Sequence, residues 1–177
     1  MAKKSPTMAF DPQHAVYAGS FDPMTLGHLD IAERSAKIFK KVTIAIGVNP
    51  EKSPLFTPDE RLEIARTELK HLKNVEVACF TGLTVDFLRE RGAGVLVRGV
   101  RTLSDIESEF TMTLANHAIE PNVETVFFMA SEQYTHISSS LIKQIAKMAR
   151  QDVQTKLAAF VTPFVGEKMM SKYKMPR

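Results

Sequence analysis

Five short apolar runs constrain this chain more than any other feature: Ala15 to Ala18, Val42 to Val48, Val75 to Phe80, Val95 to Val97 and Thr125 to Met129. They are rich in Val, Ile and Phe and do not alternate cleanly between apolar and polar. A strand with one wet face alternates, so these read as strands covered on both faces. Between them lie stretches with helical spacing: Leu29, Ala32, Ala36 and Phe39, then Leu62, Ala65 and Leu69, then Val85 and Leu88, then Ile106, Phe110, Leu114 and Ala118. Strand followed by helix, repeated, implies a parallel sheet with right-handed crossovers. The expected fold is α/β: a five-stranded parallel Rossmann-like sheet in the order 3-2-1-4-5, flanked by helices, in a single domain.

The punctuation agrees with this reading. Thr57-Pro58-Asp59-Glu60 is a capping box with proline at the first helical position, and Ser104-Asp105-Ile106-Glu107 reads as a second box. Gly92 follows Arg91 where a helix should stop. A last core helix is expected over Ser138 to Met148, with Leu141, Ile145 and Met148 on one face. A further helical region is expected from about Asp152, interrupted near Pro163. Residues 1–12 carry Lys3 and Lys4 but no apolar core after them, and read as a flexible extension ahead of a domain over 13–177.

Composition narrows the functional classes. The 177 residues are 44% hydrophobic, which suits one domain with a full core. The net charge of +3 helps attract a phosphorylated small molecule, but it is too small and too scattered to argue for nucleic acid. The single cysteine, Cys79, rules out an internal disulfide and reads as a small strand hydrophobe. No apolar run approaches the roughly 20 residues that span a bilayer. The expected compartment is the cytoplasm, with no nucleic-acid or membrane partner.

Three motifs carry chemistry. The first, Gly19-Ser20-Phe21-Asp22-Pro23-Met24-Thr25-Leu26-Gly27-His28, follows the first strand and opens the first helix. Gly19 permits a tight turn, and Ser20 offers a hydroxyl at the strand's carboxyl end. Gly27 lets a ligand approach the helix. His28 presents a ring nitrogen from the first turn, where the helix N-terminus already favours anions. The second, Arg98-Gly99-Val100-Arg101, ends the fourth strand. In the order 3-2-1-4-5 that strand neighbours the first, so Ser20 and Arg98 should face one crevice at the topological switch point. The third, Ser138-Ser139-Ser140, groups hydroxyls and free N–H groups at a helix start, a phosphate cradle. Lys52, in the loop after the second strand, could reach a phosphate as a flexible cation.

The first string resembles the (H/T)xGH signature of the nucleotidyltransferase superfamily, with Thr25 in the variable first position. Its members catalyse attack on the α-phosphate of a nucleotide by positioning and charge stabilisation. Over about Ala15 to Phe160 the chain is similar to the phosphopantetheine adenylyltransferase family, through GSFDPMTLGH, the Asn49 to Phe56 loop, VLVRGVR, the helix with Glu107, Glu109 and Asn116, and ISSSLIK. The resemblance implies adenylyl transfer from ATP to 4′-phosphopantetheine with Mg²⁺, giving dephospho-coenzyme A and pyrophosphate in coenzyme A synthesis. It also implies a homohexamer inhibited by coenzyme A. Carried over by position, His28, Lys52 and Arg98 are the catalytic set. ATP falls to Ser20, Phe21, His28, Arg98, Arg101, Glu109, Ser138, Ser139 and Ser140. The acceptor falls to Ser20, Lys52, Leu83, Thr84, Arg98, Met112 and Asn116. Four positions depart from the family pattern: Ser20 for threonine, Thr84 for methionine, Ser108 for an aromatic and His136 for phenylalanine. Other acceptors within the superfamily are nicotinamide or nicotinate mononucleotide and glycerol phosphate. A non-catalytic nucleotide sensor on the same fold would need no residue like His28 or Arg98.

Overall fold

A computed structural model describes residues 9–49, 51, 53–149 and 153–173. The elements alternate as β1 (Asp11–Gly19), α1 (Leu26–Ile38), β2 (Lys41–Gly47), α2 (Pro58–Leu69), β3 (Val75–Phe80), α3 (Thr84–Arg91), β4 (Ala93–Val100), α4 (Leu103–Ile119) and β5 (Glu124–Met129). A 3₁₀ turn over Glu132–Tyr134 leads to α5 (Ser139–Met148), α6 (Val153–Leu157) and α7 (Pro163–Lys172). The five strands are parallel, as the apolar runs imply, and stand in the expected order β3-β2-β1-β4-β5. The central strand β1 pairs with β2 through Gly19 and Ile46, and with β4 through Tyr17 and Val97. The direction of winding reverses between β1 and β4, so the crevice for a ligand opens above those two strand ends.

The missing alternation has a direct cause. Ala15 and Tyr17 point to one face, where Ile44, Ile46 and Val97 join Ile64 of α2, Ile142 of α5 and Met169 of α7 in the larger buried cluster. Val16 and Ala18 point to the other face and meet Ala45, Leu96 and the α3 residues Phe87 and Leu88. Successive side chains change face, but both faces are dry.

The capping box at Thr57 and Glu60 forms with both bonds, with Pro58 in the first turn. Gly92 closes α3 in the left-handed region at φ 62°, its N–H reaching Leu88 O and Arg89 O.

Several expectations need correcting. The N-cap of α4 is Thr102, whose hydroxyl accepts the Asp105 N–H, and not Ser104. Thr102 is extended, so the helix already begins at Leu103, and the Asp105 carboxylate turns back to Arg101. Asp11 and Pro12 belong to β1, where Asp11 N–H donates to Gly92 O at 2.8 Å. Residues 1–8 and Asp152 lie outside the described residues. The C-terminal helical region is interrupted near Pro163 as expected: α6 ends at Leu157, and α7 restarts at Pro163 after the N-cap Thr162. Phe110 and Leu114 sit at core spacing yet are 55% and 57% exposed, and no residue of α4 is buried. Among the described residues nothing buries that face.

Candidate active site

The turn from β1 into α1 is shaped by Phe21. Its φ of 47° is left-handed, a conformation that a bulky residue holds only when its surroundings enforce it. The ring is buried edge-on against Tyr17 and His28, at 5.2 and 5.1 Å between centroids. The unusual backbone is therefore at Phe21 and not at Gly19. Gly19 instead makes room, since a Cβ there would lie 3.1 Å from the Phe21 ring. With the side chain in the core, only the Phe21 backbone is left to meet a nucleotide. A Cβ on Gly27 would stand 3.4 Å from Tyr134 Cβ, so Gly27 admits the 3₁₀ turn beside the cavity.

Thr25 caps α1, and the partner that completes its capping box is His28, where Glu or Gln is usual. Thr25 Oγ1 accepts the His28 N–H at 3.3 Å, and Thr25 N–H donates to His28 Nδ1 at 3.1 Å. An Nδ1 that accepts carries no proton, so the neutral ring holds its proton on Nε2. Burial, with the nearby Arg101 charge adding to it, lowers the His28 pKa to about 4. At neutral pH His28 is an uncharged ring with one N–H to donate.

Arg98, from the end of β4, is held on three sides. Nε donates to Glu109 Oε2 at 2.7 Å, Nη2 donates to Glu109 Oε1, and Nη1 reaches across to Ala18 O of β1 at 2.8 Å. The bidentate carboxylate fixes the plane of the guanidinium. Glu109 therefore positions Arg98, a role its place in the sequence does not reveal. Arg101 is oriented in the same way by Asp105 at 3.0 Å and by Ile137 O at 2.8 Å. In the third motif Ser138 caps α5 through the Leu141 N–H, and Ser139 Oγ donates to Pro23 O. Two of the three hydroxyls thus have structural work, and their segment is tied to the first motif.

Two cavities open above the sheet and share Ser139. The smaller, about 220 Å³, is lined by Thr25, His28, Arg101, Glu109 and Ser138. The larger, about 610 Å³, is lined by Ser20, Arg98, Ser140 and Thr84. Of the residues named for ATP, all but Phe21 line one of these two cavities. Those named for the acceptor do so only in part: Leu83 is 53% and Met112 56% exposed, and neither they nor Asn116 line a described cavity. Lys52 lies outside the described residues. Of the departures, His136 packs edge-on to Phe160 at 5.9 Å, and Ser108 Oγ bonds back to Ser104 O.

Three residues of the larger cavity escaped the sequence reading. Buried Asp22 accepts the N–H groups of Leu55 and Phe56, both at 2.9 Å, and Lys143 Nζ at 2.8 Å. It joins the first motif to the loop after β2 and to α5. Lys143 stands one turn beyond Ser139, and that spacing in SSSLIK was the available signal. Arg61 of α2 also lines the cavity, in a sequence context that looks like any amphipathic helix. Among the described residues no cluster of three His, Cys, Asp or Glu could hold a metal ion.

An uncharged imidazole donor in one cavity and an oriented guanidinium in the adjoining one suit transfer between two phosphorylated ligands without a covalent intermediate. This defines a nucleotidyltransferase, and residues 16–145 match the Cytidylyltransferase-like family. The chain is 54% identical over 147 residues to phosphopantetheine adenylyltransferase of Rhodopirellula baltica, covering 83% of this chain and 81% of that protein. It is 46% identical over 159 residues to the enzyme of that name from Heliobacterium modesticaldum, covering 90% and 92%. The chain belongs to the phosphopantetheine adenylyltransferase family. Plasmodium falciparum nicotinic acid mononucleotide adenylyltransferase shares the fold, with a TM-score of 0.64 at 14% identity over 91% of this chain and 95% of that one.

Proposed function

We infer that this protein transfers the adenylyl group of ATP to 4′-phosphopantetheine, giving dephospho-coenzyme A and pyrophosphate. The observation that carries the reading is the meeting of two cavities at Ser139, one lined by His28 and Arg101 and the other by Ser20 and Arg98. ATP lies on the His28 side, among Ser20, the Phe21 backbone, Arg101, Glu109 and Ser138 to Ser140. The acceptor phosphate enters the larger cavity beside Ser20 and Arg98, with Lys52 proposed from the family resemblance as a further cation for it. Its arm runs past Thr84 toward the exposed Leu83, with Met112 and Asn116 of α4 as its outer contacts.

An oxygen of the acceptor phosphate attacks the α-phosphorus in line. The bond from that phosphorus to the bridging oxygen breaks, and pyrophosphate leaves with the electron pair. The attacking phosphate is already anionic near neutral pH, so no side chain need remove a proton. His28 Nε2–H donates to an α-phosphate oxygen as negative charge shifts there, while Arg98 and Lys52 neutralise charge on the reacting phosphates. Mg²⁺ bound with the nucleotide would supply further neutralisation of the phosphate charge.

Coenzyme A contains the product's whole framework, which supports its role as a feedback inhibitor at the same cavities. The uncovered apolar face of α4, with Phe127 and Met129 of β5 also exposed, supports self-association, as the homohexamer of the family resemblance requires. No helix among the described residues is long and apolar enough to cross a membrane. ATP as co-substrate supports work in the cytoplasm.

The test uses ATP labelled at the α-phosphate. Label should pass to dephospho-coenzyme A and none to pyrophosphate. Label left in AMP, with the acceptor unmodified, would contradict the reading.

A further inference from the structure

Among the described residues Arg61 is a buried cation without a counter-charge. It is 3% exposed, and its Nη1 donates to Ser20 O at 2.9 Å and to Gly47 O at 3.2 Å. Nε is buried with no partner. Arg34, Arg89, Arg91, Arg98 and Arg101 each have a carboxylate within ion-pair distance, and Arg61 has none among the described residues. Arg66 also lacks one, but it is exposed and water screens it. A guanidinium withdrawn from water is costly unless an anion or a full set of acceptors replaces the water. Two carbonyls on one nitrogen do not supply that set.

The missing anion has a place to sit. Arg61 lines the larger cavity together with Ser20, Arg98 and Lys143. It bridges the carboxyl ends of β1 and β2, whereas His28, Arg101 and Glu109 line only the smaller cavity on the β4 side. Resting on the adenylyl-transfer reading above, we propose that Arg61 is a phosphate-binding residue of the acceptor cavity, using the guanidinium nitrogens that the protein leaves free. Its Nη1 bonds aim the group, because Ser20 O and Gly47 O belong to the two strand ends that frame the site. Its charge also compensates the acceptor dianion as it nears the triphosphate.

The experiment compares wild type with R61M and R61K. Replacing Arg61 by Met should raise KM for 4′-phosphopantetheine by ~10-fold or more, as for loss of a charged hydrogen bond. KM for ATP should stay within about twofold. Pantetheine without its phosphate, tested as a competitive inhibitor, should bind wild type and R61M alike. If it weakens in step with the phosphorylated acceptor, the variant has collapsed the cavity and the proposal is wrong. An unchanged acceptor KM, or an equal rise for ATP, also overturns it. Should R61M fail to fold, R61K keeps the charge but lacks the forked nitrogens. It should still raise the acceptor KM by ~3-fold or more, and an unchanged value counts against the proposal. A separate arm needs no turnover: inorganic phosphate should raise the Tm of wild type by clearly more than that of R61M, and an equal rise in the two counts against the proposal. This arm stands even if wild type were to make no dephospho-coenzyme A, so the two readings fail separately.

Discussion

The backbone N–H of Thr25 donates to Nδ1 of His28 at 3.1 Å, and this bond decides which ring nitrogen is left with its proton for the smaller cavity that His28 lines. A residue in the capping position of α1 thereby sets the proton on Nε2. The same helix start that favours an anion also fixes the donor that meets it.

Replacing His28 by Ala should leave the fold intact and lower kcat by ~10²-fold or more, as for loss of a donor used in the transition state. A well-folded variant with near-wild-type turnover would remove His28 from the mechanism.

The pH profile separates a neutral donor from a charged one. With a pKa near 4, His28 in the free enzyme contributes no acid limb to kcat/KM near the ordinary imidazole value of 6.5. A limb near ~6 is expected from the second ionisation of the acceptor phosphate, and it should persist in H28N. Its disappearance in H28N would mean that His28 titrates there.

Glu109 should act through Arg98. E109Q keeps the size of the side chain but loses the ionic fork, and should lower kcat at saturating substrates by ~10-fold. Adding E109Q to R98A should then cost little more, because both remove one unit. Full additivity in kcat would show that Glu109 works independently.

Stability should fall on the acid side. His14 is 4% exposed with Nε2 2.8 Å from Thr43 Oγ1, and burial and Lys41 lower its pKa against the opposing pull of Glu76 and Asp11. Burial and Arg101 lower that of His28. Between each lowered value and 6.5 the unfolded chain binds the proton and the folded chain does not, so stability rises with pH across that window. The histidine contribution is complete above about 6.5 and is lost as pH falls toward 4. Urea midpoints between pH 4 and 7 should show this slope, and H14Q combined with H28N should flatten it. An unaltered slope in that double variant would assign the acid loss to other groups.

The sheet was legible because strands covered on both faces need unbroken apolar runs, and Val42 to Val48 could hardly be anything else. Its order put Ser20 and Arg98 at one edge, and the Arg98 bond to Ala18 O spans those two strands. Relations that depend on partners far along the chain were not legible. Asp22 meets Lys143 across 121 residues, and Arg61 owes its isolation to what is absent around it. Thr25-Leu26-Gly27-His28 hid a capping box because His stands where Glu or Gln marks one. The α4 spacing was read correctly as an apolar face, but periodicity does not say whether the covering surface lies in the same chain.

That face carries its own test. F110E combined with L114E should leave one chain folded, since both side chains are over half exposed, while breaking the proposed homohexamer into smaller species by native mass measurement. A hexamer unchanged by two buried-in charges would place the interface elsewhere.

The acceptor is the centre of the account, and direct competition tests it. Wild-type protein is given ATP, Mg²⁺ and equal amounts of 4′-phosphopantetheine, nicotinamide mononucleotide and glycerol 3-phosphate, with each product followed by mass. Dephospho-coenzyme A should dominate from the first time point; faster formation of either other product would contradict the assignment.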